Sequence, residues 1–227
     1  MTDRGGYVVA GMGVVTALGA GRPNGFSRRC AGEIGIRPMT RYPQEKFSTT
    51  VAAEVPDAIV GELVDKFDLK PTSHAKLLAI AAAREALDSA DFAPASTALV
   101  LSTTKADFED FERAMADPHS PAKMQFNPFA FAEGVAAQLG LTGPVYAVSN
   151  ACASGLIAIA HAMRVLDRQQ ATHALVLGVD TITEFVLAGF SSLRALSASP
   201  ARPFDAARDG LSLGEGAGAL LITKSST

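Results

Sequence analysis

The sequence predicts an α/β fold. Short apolar bursts rich in β-branched residues alternate with longer stretches rich in Ala and Leu. The 227 residues are 48% hydrophobic and 19% charged, which supplies a core and is too apolar for disorder. The strand-like bursts are nearly continuous in hydrophobicity rather than alternating, as in a sheet covered by helices on both faces.

Tyr7–Ala10 reads as the first buried strand, running into a glycine turn at Gly11 and Gly13. Further strands are expected at Thr50–Val55, Ala98–Ser102, Val145–Ser149, Ala174–Val179 and Ala219–Thr223. Helices are expected at His74–Ala90, Phe129–Leu139 and Ala153–Arg168. In the first of these, Leu77, Ile80, Ala81, Ala83 and Leu87 gather on one side while Lys76, Arg84, Glu85 and Asp88 stay wet. The last differs: Gly155 to Ala160 is an unbroken apolar run, followed by Ala162, Met163, Val165 and Leu166. A helix apolar nearly all round is normally buried all round, which would set Cys152, at its start, deep in the protein.

Composition excludes several function classes. A net charge of −3 with scattered basic residues leaves no footprint for nucleic acid. Two cysteines, Cys30 and Cys152, make no disulfide framework and point to a reducing, cytoplasmic setting. No stretch approaches the ~20 apolar residues of a membrane span. Arg4 before the apolar stretch Tyr7–Ala20 mimics a secretory signal, but Gly11, Gly13 and Gly19 break that stretch, so it reads as strand and turn. Gly11-Met-Gly13 lacks the third glycine of a dinucleotide fingerprint, because Thr16 stands there. Gly214-Glu-Gly-Ala-Gly218 lacks the Lys-Ser/Thr of a phosphate loop and reads as a tight turn. No cofactor is implied, and no His/Cys/Asp/Glu cluster has metal-ligand spacing. Cys30, amid Arg28, Arg29 and Glu33, reads as structural.

Cys152 is the candidate nucleophile. The segment Val145 to Gly155 runs strand, sharp turn, helix, with the cysteine at the turn. The first N–H groups of a helix lack intrahelical partners and carry partial positive charge, so they stabilise a thiolate and could accept the oxyanion of an attacked thioester. Small neighbours (Ala151, Ala153, Ser154, Gly155) leave room for a substrate. A buried structural cysteine fits the spacing equally well. A G-x-S-x-G type elbow does not, since Asn150 and Ala151 precede Cys152. His161, nine residues on along the same helix, faces the opposite side. His74 at a helix start, His119 in the segment Asp117-Pro-His-Ser-Pro121 and His173 at a strand entrance read as surface or capping residues.

Val148-Ser-Asn-Ala-Cys-Ala-Ser-Gly155 resembles the active-site segment of β-ketoacyl synthases. Five further stretches are similar to that family in the right order: Val8 to Gly19, Ala174-Leu-Val-Leu-Gly-Val-Asp180, Gly189 to Ser197, Arg202 to Gly210, and Gly214 to Thr223. The resemblance implies one half of a thiolase-like fold, a mixed sheet with helices on both faces, and makes residues 1–227 the family's N-terminal domain, its C-terminal domain absent. It implies that Cys152 accepts an acyl group from an acyl-carrier-protein thioester, and that malonyl-carrier protein then loses CO2 and condenses with it. The two catalytic histidines, a supporting lysine and a second oxyanion N–H would come from the half beyond Thr227. The resemblance also implies a homodimer, with strands pairing near Val145–Ser149, or a partner chain that supplies the second half. Without that half, a large apolar surface beside the helix after Cys152 would face water. Phe190 reads either as a wall of the acyl pocket or as core. Ser102-Thr-Thr-Lys-Ala-Asp107 and Ser149-Asn150 are similar to synthases of aryl-polyene pigments. A non-catalytic synthase-like partner subunit is the competing reading.

Overall fold

Strands β1 (Tyr7–Thr16), β2 (Gly19–Ala20), β5 (Thr97–Ser102), β6 (Val145–Val148), β7 (His173–Asp180) and β8 (Gly216–Lys224) form one mixed sheet in the order β2-β1-β8-β7-β5-β6. The computed structural model describes residues 6–70, 72–117, 119 and 126–225, so Arg4 and most of the loop around His119 lie outside the described residues. Next to the edge strand β6, β5 runs parallel to both of its neighbours, β6 and β7, with Leu99 opposite Val145 and Leu175. β8 runs antiparallel to β7 and β1.

Both faces of this sheet are covered, which is why its strands read as continuous apolar runs. Leu99, Leu101, Leu175, Leu177 and Leu221 point to one face and pack under helix α3 (His74–Leu87), flanked by α2 (Asp57–Phe67) and α5 (Pro128–Gln138). Ala98, Val100, Ala174, Val176 and Ile222, the alternate positions, point to the other face and pack under α6 (Ser154–Asp167). Ser73 caps α3 by accepting the Lys76 N–H at 3.4 Å, and Asn127 caps α5 through the Phe129 and Ala130 N–H groups.

Gly11 and Gly13 do not form the expected turn. β1 continues through them to Thr16, and their role is close approach: a Cβ at either would stand 2.0 Å from the carbonyl oxygen of Ala86 or Ala82 on α3. The glycines at 214–218 likewise lead into β8 instead of a tight turn. The expected strand Thr50–Val55 shrinks to the two-residue β4 (Val51–Ala52), paired with β3 (Arg37–Pro38) and continued by a bridge from Ala53 to Gly214. Helices α1 (Arg22–Cys30), α2, α4 (Phe108–Ala116) and α7 (Glu184–Ser192) complete the chain and fall outside the sequence expectations. Cys30, at the end of α1, is exposed and takes no part in a core, contrary to its structural reading.

The all-round burial expected of α6 is not met. Ala158, Ala162, Val165 and Leu166 pack on the sheet, but Leu156 is 76% and Ile157 41% exposed on the far side. Val8, Val9 and Met12 of β1 are exposed as well. A groove of about 560 Å³, walled by Met12, Val14, Leu156, Ile159, Val176 and Leu220, runs along α6 and ends at Cys152. The apolar sequence of α6 therefore describes two faces, one filled by the sheet and one open.

Candidate functional site

The turn between β6 and α6 is held by one buried hydroxyl. Ser154 Oγ accepts the Asn150 N–H and donates to the Ala151 carbonyl, both at 2.7 Å. Main-chain bonds from Ala153 N to Asn150 O and from Ser154 N to Ala151 O, each 3.1 Å, tighten it further. Ala151 sits at φ 47°, in the left-handed region that disfavours a residue with a Cβ, and this strain is sustained by the surrounding bonds. Cys152 stands at the apex. It is exposed instead of deep, because the outer side of α6 and the mouth of the turn have no covering element among the described residues.

Cys152 forms part of the wall of a pocket of about 810 Å³. Gly178 and Gly218, opposite each other on β7 and β8, leave the sheet bare beneath it. The side wall comes from Ile182 and from Phe185, Val186 and Phe190 of α7. The sequence-predicted pair Cys152 and Phe190 thus lines a single pocket, and Phe190 is half-buried and outside the packed core clusters. Phe185, 63% exposed at the rim, packs against Phe108 at a centroid distance of 5.1 Å, and the Phe108 ring also meets Phe111 at 5.2 Å and Phe126 at 5.5 Å.

Besides the thiol, the ionisable groups on this wall are Lys105 and Asp180. They face each other at 3.3 Å, and the Asp180 carboxylate also accepts from Thr103 Oγ1, Thr104 N and Thr104 Oγ1 at 2.9–3.1 Å. One carboxylate thereby ties the segment after β5 to the end of β7. Sequence reasoning missed this pairing, which joins residues 76 and 77 positions apart.

No histidine lines the pocket among the described residues. His161 lies against the ring of Tyr146, with ring centroids 4.5 Å apart, and does not line the pocket. His173 opens β7, and His119 is exposed. His74 is more than the surface or capping residue expected: its Nε2 lies 2.9 Å from a carboxylate oxygen of Glu215, whose side chain is fully buried. Among the described residues no group of His, Cys, Asp and Glu could hold a metal ion, and no helix is long and apolar enough to cross a membrane.

A mixed sheet between α3 and α6, with a cysteine on a strained turn at the start of the second helix, defines one half of a thiolase-like α/β protein. Residues 7–227 match the Beta-ketoacyl synthase N-terminal domain, and the chain belongs to the β-ketoacyl synthase family. It is 31% identical to a 3-oxoacyl-[acyl-carrier-protein] synthase 2 of Staphylococcus aureus strain N315, over 95% of this chain and 56% of that protein. It is 27% identical to the protein of the same name from Coxiella burnetii, over 95% of this chain and 57% of the relative. Among solved structures, the ishigamide ketosynthase/chain length factor superposes with a TM-score of 0.84 at 28% identity, covering 97% of this chain and 59% of that one. A β-ketoacyl synthase from Burkholderia phymatum STM815 superposes with a TM-score of 0.77 at 25% identity, with the same coverage. The chain spans a little over half the length of the curated relatives it matches.

Proposed function

We propose that this chain is the acyl-accepting half of a β-ketoacyl-acyl-carrier-protein synthase, with Cys152 as the nucleophile and Phe190 as a wall of the acyl pocket. The observation that carries the reading is the placement of Cys152: exposed at the apex of a turn pinned by Ser154, at the start of α6, beside an apolar-walled pocket. The Cys152 thiolate attacks the carbonyl carbon of an acyl-carrier-protein thioester. The oxyanion forms near the N-terminal amides of α6. Collapse of the tetrahedral adduct breaks the bond to the carrier sulfur, which leaves as a thiolate and takes up a proton, and the acyl group remains on Cys152. Malonyl-carrier protein then loses CO2, and its enolate carbon attacks the acyl-cysteine. The new C–C bond releases the Cys152 thiolate and a β-ketoacyl product two carbons longer.

The first half-reaction draws on groups this chain carries. The second draws on the histidines that the family holds in its other half, which would dock against the open groove beside α6, on either the same or a separate polypeptide. β6 lies at the sheet edge, where a second copy could pair with it. The reading places the protein in the cytoplasm, serving fatty acid or polyketide synthesis. The segment Ser102 to Asp107, with Ser149 and Asn150, supports an aryl-polyene pathway within that range.

The competing reading, a non-catalytic partner subunit, is favoured by the lack of a histidine at the pocket among the described residues. Incubation with an acyl-carrier-protein thioester separates the two. The proposed function expects an acyl adduct on Cys152 and no condensation by this chain alone when malonyl-carrier protein is added. An unmodified Cys152 favours the partner subunit, and a β-ketoacyl product from the chain alone contradicts the division of labour.

A further inference from the structure

Glu215 precedes β8 and is surrounded by four chain segments. Its Oε1 accepts the Val55 N–H at 2.8 Å and stands 2.9 Å from His74 Nε2 and 2.5 Å from Arg41 Nη2. Its Oε2 accepts the Ile182 N–H at 3.1 Å. Burial alone would raise this carboxyl group. The His74 hydrogen bond and the Arg41 charge outweigh it and hold the group down to about 2, so it remains an acceptor at any working pH.

The other end of the same peptide unit's residue is held as well. Tyr42 Oη donates to the Ile182 carbonyl at 2.8 Å, and burial pushes its phenol upward, which keeps it a donor. Ile182 is therefore gripped at both its N–H and its C=O, by two residues outside the pocket. Ile182 itself is 1% exposed and lines the pocket of Cys152. It leads directly into α7, where Thr183 caps the first turn and Glu112 accepts the Glu184 and Phe185 N–H groups at 3.1 and 2.7 Å. α7 carries Phe185, Val186 and Phe190, the apolar side wall.

We propose that Glu215 and Tyr42 are positioning residues that set the shape of the acyl pocket by clamping Ile182, and through it the α7 wall, at a fixed distance from Cys152. This rests on the reading of that pocket as the acyl site. Neither residue touches the thiol. Their action is on how long an alkyl chain the pocket accepts, not on the chemistry of the sulfur.

The test uses the chain with Cys30→Ser, so that one thiol remains, labelled with N-methylmaleimide or N-octylmaleimide and followed by intact mass. The short reagent reports on the thiol and the long one on the pocket. The proposal expects the octyl reagent to label Cys152 faster than the methyl reagent. Tyr42→Phe should lower that octyl-to-methyl ratio about fivefold, the worth of one hydrogen bond of typical net strength, while leaving the methyl rate within about twofold. Glu215→Gln should shift it in the same direction, and Tyr42→Phe, which keeps the ring, remains decisive if the buried-charge variant fails to fold. A ratio unchanged in folded Tyr42→Phe overturns the proposal, as does a parallel loss of both rates, which would be a general structural effect. Acylation by an octanoyl thioester, measured alongside, keeps the two claims apart. Absence of acylation with length-selective labelling intact sinks the acyl-acceptor reading alone, and normal acylation with an unmoved ratio sinks the clamp alone.

Discussion

Replacing Ser154 by Ala removes the one side chain that holds the cysteine turn. Its hydroxyl is 4% exposed at the residue level and makes two bonds of 2.7 Å, to Asn150 N and Ala151 O. A buried polar group left without a partner would cost about 1–3 kcal/mol. Here Asn150 is exposed, so water can reach its N–H, and Ala151 O keeps the Ser154 N–H at 3.1 Å. The loss is therefore that of two ordinary bonds partly replaced by water, about 1.5 kcal/mol. For a chain of this size that lowers the melting midpoint by roughly 3–6 °C. Acylation of Cys152 should fall further than the stability loss alone requires, by about tenfold. Ala151 at φ 47° is then free to relax to a more comfortable conformation and carry the sulfur away from the α6 amides. Thermal melts followed by circular dichroism, with adduct formation at 20 °C followed by mass spectrometry, measure both effects. A midpoint within 1 °C of the parent and an acylation rate within twofold would refute the claim that Ser154 holds the nucleophile in place.

Glu215→Gln should flatten the acid limb of the stability curve. A carboxyl group held down to about 2 contributes stability that is present above its ordinary value of 4.5 and lost as pH falls between the two, of order 3 kcal/mol. Denaturant melts from pH 6 to pH 2 should show that loss in the parent and a smaller one in the variant; parallel curves would contradict it. Glu109, pushed upward by burial, acts in the opposite sense but is common to both proteins. Gly13→Ala should cost about 3 kcal/mol or prevent folding, since its Cβ would lie 2.0 Å from Ala82 O on a helix backbone; soluble protein with an unchanged melt would be the contrary result. The double change Leu156→Glu and Ile157→Glu should alter the stability of the chain by less than about 0.5 kcal/mol, because both side chains are exposed, yet abolish binding of a family C-terminal half in a pull-down. Retained binding would show that the second half docks elsewhere.

The sheet and its two central helices were legible because their signals are local. β5, β6, β7 and β8 announce themselves as apolar runs, and α3 and α6 as long Ala- and Leu-rich segments. The surface helices were not: α1 shows no buried core stripe among its described side chains, and α2 buries only Leu63 and Phe67. The cysteine turn was readable from the strand-to-helix change at Val148 to Gly155, but the exposure of Cys152 was not. Hydrophobicity at Leu156 and Ile157 records that a face is built to be covered and says nothing about whether the covering element is present. Gly11 and Gly13 were misread as a turn because a glycine needed for backbone curvature and one needed for helix approach look alike until α3 is placed over them. Glu215 was invisible for a related reason: its partners Val55, His74 and Ile182 are 160, 141 and 33 residues away. Nothing in the run Gly214 to Gly218 marks a buried carboxylate except that an acidic residue there must find partners somewhere.

Whether Cys152 accepts an acyl group is decided by intact and peptide mass analysis of this chain after brief exposure to octanoyl-acyl carrier protein, beside Cys152→Ala and Cys30→Ser. One octanoyl group is expected on the peptide that contains Cys152, retained in Cys30→Ser and lost in Cys152→Ala. No adduct on the folded chain, or an adduct that persists in Cys152→Ala, would contradict it.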